Sequence, residues 1–92
     1  VVDRLLVGED EVRVLDFKGH RAVPSGPEGV PEPILRQMGA YAAILEGTYP
    51  GRRVVPVVLW TREGWAMELP RALVMAALQR AAAERAGGAS SP

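Results

Sequence analysis

Ninety-two residues, 48% hydrophobic and 24% charged, set the bounds of one small globular domain or of a piece of a larger one. Eleven basic side chains balance eleven acidic ones, so the chain lacks the basic field of an autonomous nucleic-acid-binding module. With no cysteine, a disulfide framework and a thiolate metal site are excluded, the lone His20 cannot build a zinc site by itself, and no apolar run nears the roughly 18 residues of a membrane span.

The pattern is strand-like from the first residue. Residues 1–7 and 12–18 are two β-rich runs around Gly8-Glu9-Asp10-Glu11, a polar turn with one glycine, and together they predict a hairpin. The abrupt start, without capping or leader residues, reads as a segment cut from a longer protein. Residues 19–31, dense in proline and glycine, are expected to form a loop. From about Glu32 to Thr48 the apolar residues Ile34, Leu35, Met38, Tyr41, Ala42 and Leu45 recur at helical spacing, with Pro31 and Pro33 at the start and Tyr49-Pro50-Gly51 as the stop.

Val54 to Trp60 is a nearly continuous apolar run, the mark of a strand covered on both faces. Pro56 inside it argues for a strand end, an edge or a bulge, because it removes one ladder donor. A turn at 61–64 leads to a short strand from Trp65 to Leu69. Pro70 then opens an alanine-rich helix to about Ala86, closed by Gly87-Gly88, with residues 87–92 as a disordered tail. The order β-β-α-β-β-α predicts an α/β fold, a mixed sheet covered by helices.

Chemistry concentrates at the end of the second strand, "VLDFKGH". Lys18 is the chain's only lysine, against ten arginines. Side chains alternate along a strand, so Asp16 and Lys18 share a face and Phe17 takes the other. A two-residue turn at Glu9-Asp10 and a four-residue loop at 8–11 both pair residues whose numbers add to 19, which sets Asp3 opposite Asp16 among Val1, Leu5, Val7, Val12 and Val14. Two carboxylates facing each other repel unless one is protonated or a cation lies between them. Hard oxygen ligands of this kind suit Mg²⁺ or Mn²⁺, with water and phosphate completing the shell. Lysine, unlike arginine, could also help deprotonate a bound water. The competing reading is a plain intra-strand ion pair at a solvent edge.

"VVDRLLV", "VLDFKGHR" and "LRQMGAY", in that order, resemble the second half of a RecB-family nuclease domain of the PD-(D/E)XK superfamily. "YPGRRVVPVVLWT" and "MELP" are similar to the C-terminal end of the AddA type of nuclease-bearing helicase subunit, in its alphaproteobacterial form. The resemblance covers roughly residues 1–80. It implies a restriction-endonuclease-like sheet whose N-terminal part lies upstream, with residues 1–86 as the C-terminal portion of the nuclease domain. By position, Asp3 and Asp16 match the metal-binding carboxylates, Lys18 the catalytic lysine, and Phe17 the residue whose carbonyl completes the metal shell. Gln37 and Tyr41 match a Gln-x-x-x-Tyr pair on one helix face, able to touch DNA or brace the site.

Gly19 replaces the family's usual threonine. His20 stands where asparagine is common, and reads as a loop residue rather than a base. The implied activity is Mg²⁺- or Mn²⁺-dependent cleavage of DNA at double-strand breaks, in a bacterial cytoplasmic helicase–nuclease with a second, AddB-like subunit and no membrane partner. ATP would bind only in the helicase part. Two rivals stay open: an inactive nuclease-like fold that guides DNA or scaffolds a subunit, and a small structural module with surface ion pairs.

Overall fold

Alternating apolar residues build the hairpin in a computed structural model that describes residues 3–19 and 22–90, the last three by backbone alone. Strand β1 (Arg4–Val7) pairs antiparallel with β2 (Glu11–Lys18), Arg4 facing Leu15 and Val7 facing Val12. This is the expected register, and Gly8 N–H closes the turn on the Glu11 carbonyl at 2.8 Å. Val1 and Val2, counted above into the first strand, lie outside the described residues, as does His20. A one-turn 3-10 helix at Pro27–Gly29 interrupts the expected loop.

Helix α1 (Glu32–Thr48) has the expected bounds. Pro31 caps it and Pro33 lies in its first turn, where a missing N–H costs no helical bond. It carries the chain across to β3 (Arg53–Trp60), which lies parallel to β2 with Val12 beside Val54 and Lys18 beside Trp60. Strand β4 (Trp65–Glu68) returns antiparallel, giving a four-stranded mixed sheet in the order β1-β2-β3-β4. Pro56 therefore sits within a central strand rather than at an end or an edge. It is tolerated because β4 stops there: the last rung keeps Leu69 N–H to the Pro56 carbonyl at 2.8 Å and needs no donor from proline.

Helix α2 (Arg71–Ser90) follows Pro70 and runs on through Gly87 and Gly88 instead of closing there. Glycine only weakens a helix interior, by about 1 kcal/mol, and does not end one unless the chain turns left-handed. The core joins Val12, Val14, Val54, Val58, Trp60 and Met67 of the sheet to Ile34, Leu35, Met38 and Ala42 of α1 and to Val74 and Ala77 of α2. Both helices thus cover one face, the one that carries the even-numbered side chains of β2 and β3. The helices touch most closely at Gly39, where a Cβ would fall well inside contact distance of the Val74 carbonyl oxygen. On the opposite face Val55 and Val57 are buried by their neighbours, while Leu6 and Phe17 remain exposed.

Candidate active site

The alternation that buries Val12 and Val14 carries Asp16 onto the helix-covered face, where it is 3% exposed. No other charged side chain among the described residues is buried to this extent. Lys18, one pleat further along β2, brings its Nζ to 3.1 Å from Asp16 Oδ2. That oxygen is out of solvent and accepts no well-aligned hydrogen bond, so the ammonium meets it as an ion pair off the lone-pair line. The buried charge is compensated, but its capacity to coordinate is not used up.

Asp3 follows from the same register, one residue before β1. Its N–H donates to the Leu15 carbonyl at 3.1 Å, and its Oδ2 accepts the Phe17 N–H at 2.7 Å. The carboxylate thus serves as a ladder acceptor for β2. A strand residue directs its N–H and C=O to the same neighbouring strand, so the Phe17 carbonyl leaves β2 on the Asp3 side. The Phe17 ring points to the open face, as expected, and is 39% exposed.

The two acids differ in electrostatics. Burial pushes the Asp16 carboxyl above the usual range; Lys18 opposes this and Asp3 adds to it. The Phe17 N–H, and then a hydrogen bond with Asp16, hold Asp3 below the usual range. Asp3 keeps its charge while Asp16 gives up its own more readily, the split expected of two close carboxyls. A divalent cation between them would remove the repulsion and let both ionise.

The donor set fits a hard cation: one exposed carboxylate, one buried carboxylate oxygen with no aligned donor, and a backbone carbonyl on the same strand edge. Among the described residues no three or more His, Cys, Asp or Glu side chains converge on a metal-sized site. The protein would thus supply part of a six-oxygen shell, and water and substrate phosphate the remainder.

Gln37 and Tyr41 lie one turn apart on α1, and Gln37 Nε2 donates to the Tyr41 hydroxyl at 2.9 Å. Tyr41 also packs against the core. The hydrogen bond ties the two side chains to each other on one face of α1.

Two neighbours of Lys18 had no signal in the sequence. Trp60 stands beside it across the parallel ladder, and Thr61 binds its carbonyl twice, through N–H at 2.9 Å and through Oγ1 at 3.2 Å. Parallel pairing joins residues more than forty positions apart, so short-range spacing cannot reveal it.

A cavity of about 530 Å³ lies at the other end of the sheet, bordered by Glu46, Arg52, Arg53 and Arg71. Its outer wall at Arg53 is seven strand residues, about 23 Å, along the ladder from Lys18, and its inner wall reaches Pro56. Arg71 is held by Glu46 and Arg53 by Glu11, so its walls are largely ion-paired. No family model, curated protein or solved structure matches this chain.

Proposed function

We propose that this chain is part of a metal-dependent DNA nuclease domain, of the RecB-family PD-(D/E)XK type, within an AddA-like bacterial cytoplasmic helicase–nuclease that processes double-strand breaks beside an AddB-like subunit. The observation that carries the reading is the buried Asp16 with Lys18 at 3.1 Å and Asp3 across the hairpin. A buried acid is retained at a cost to stability, and such costs concentrate at functional sites.

A bound Mg²⁺ or Mn²⁺ would supply charge neutralisation at the phosphate and an activated water. Asp3, Asp16 and the Phe17 carbonyl would hold that ion. The Asp16 carboxylate also fixes the Lys18 ammonium, which lies where it can donate to a phosphoryl oxygen or steady the attacking water. The helix-covered apolar face beneath keeps bulk water from one side of the pair and strengthens each of these interactions. Gln37 and Tyr41, joined to each other on one face of α1, would touch DNA or brace the site.

In the full-length protein, Asp16→Ala and Lys18→Ala are each expected to abolish degradation of linear DNA while leaving ATP-driven unwinding intact. Millimolar Mg²⁺ should raise the melting temperature of the parent but not of Asp16→Ala, because a ligand stabilises only the state that binds it. Cleavage at the parental rate by either variant would sink the assignment. The Asp16–Lys18 ion pair also compensates the buried charge without a metal, which favours a second reading in which the fold guides DNA or scaffolds a subunit without cutting. Absence of any Mg²⁺-dependent shift in the parent would decide for that reading.

A further inference from the structure

Lys18, Trp60 and Trp65 form one row across the sheet. Lys18 pairs with Trp60 in the parallel ladder and Trp60 with Trp65 in the antiparallel one. Residues directly opposite each other share a face, and Met67, two positions beyond Trp65, marks that face by lying in the core. Within the row, Trp60 is 1% exposed and Trp65 is 40% exposed. Packing does not account for an indole at residue 65, because Met67 and Leu69 supply the core contacts of this segment.

The row is rigidly tied to Lys18. Both donors of Thr61 hold the Lys18 carbonyl, so the turn from residue 61 to residue 64 keeps a fixed position against the lysine. Gly64, at φ +64°, lets the chain reverse directly into Trp65. The same turn presents Arg62, exposed and without an ion pair among the described residues. Two strand spacings separate Lys18 from Trp65, about 10 Å, the length of roughly three stacked nucleotides.

We propose that Trp65 is a base-stacking platform for single-stranded DNA beside the Lys18 site, with Arg62 contacting a neighbouring phosphate. The inference rests on the nuclease reading of Asp16 and Lys18. Cations grip the backbone, and an exposed indole adds a sequence-tolerant hold on any unpaired base. Bases in a duplex are already stacked on each other, so such a platform selects unpaired strands.

The test measures binding of the full-length protein to a fluorescein-labelled oligothymidylate by anisotropy in EDTA. Without divalent cation nothing is cut, so the result does not depend on whether Asp16 and Lys18 perform catalysis. Trp65→Ala is expected to weaken binding about 5- to 150-fold, and Trp65→Phe to restore most of it. An abasic oligomer of the same length should bind the parent and Trp65→Ala equally weakly, since it has phosphates but nothing to stack. Unchanged affinity of Trp65→Ala for oligothymidylate would overturn the proposal. So would an abasic oligomer that loses as much affinity on Trp65→Ala as oligothymidylate does. Cleavage by Asp16→Ala, measured separately with Mg²⁺, would sink the nuclease reading and leave the binding result standing by itself.

Discussion

The Lys18 ammonium lies 3.1 Å from a carboxylate oxygen of Asp16 that solvent does not reach. The pair sets two quantities against each other. The fold disfavours the ionised acid, since burial is the largest influence on it, whereas the proposed chemistry requires that ionised form.

Substitution should separate them. Asp16→Asn is expected to abolish cleavage yet stabilise the protein at neutral pH by about 0.5–2 kcal/mol. The sign follows from the raised carboxyl: its ionisation penalty is present at pH values above the folded pKa and vanishes below the ordinary value of about 3.9. The advantage of asparagine should therefore disappear in acid, as read by thermal unfolding at a series of pH values. Lys18→Arg keeps the counter-charge and should melt close to the parent, while DNA cleavage falls sharply because a planar guanidinium cannot replace a compact ammonium. Full cleavage by Lys18→Arg would reduce Lys18 to a general phosphate contact.

A second pH effect belongs to the helix pair. Glu32 on α1 is bound by Arg80 of α2 through two hydrogen bonds of 2.8 and 2.9 Å and by Arg36 at 2.8 Å. Arg36 in turn grips Glu84. Arg80 first, and then Arg36, lower the Glu32 carboxyl from 4.5 to about 2. A depressed acid contributes stability that is complete above its unfolded value and is lost as pH falls through its folded one. The melting temperature should thus decline between about pH 4.5 and pH 2, and Glu32→Gln should flatten that part of the profile. Salt should weaken the same contribution, because the group is solvent-facing. A profile unchanged by Glu32→Gln would show that the network adds nothing.

Two glycines in α1 should respond oppositely to one substitution. Gly39→Ala drives a methyl group into the Val74 carbonyl, and backbone cannot yield as a flexible side chain can. Overpacking of this kind costs about 1–3 kcal/mol, which exceeds the roughly 1 kcal/mol that alanine gains over glycine in a helix. Gly47 meets nothing within 4 Å, so Gly47→Ala should stabilise by about 0.5–1 kcal/mol. Denaturant unfolding of the two variants checks both signs, and a stable Gly39→Ala would mean that the helices can separate without loss.

Local spacing was enough to place much of this molecule. The period of Ile34, Leu35, Met38 and Ala42, with prolines at the front, fixed α1, because helix entry and stop are decided within a few residues. The Glu9-Asp10 turn fixed the hairpin register, and with it the meeting of Asp3 and Asp16, since a two-residue connection leaves one register available. Other features were beyond local reading. Pro56 reads as a breaker, yet it sits in a central strand because β4 happens to end beside it, a fact about a partner rather than about proline. The glycines at 87 and 88 read as a stop, but nothing there turns the chain left-handed and the helix continues. Only the three-dimensional fold buried Asp16, by laying α1 over the even-numbered face, and only parallel pairing brought Trp60 and Thr61 to Lys18. Local structure answers to neighbours a few residues away. Burial and cross-strand company answer to segments that the chain brings together from a distance.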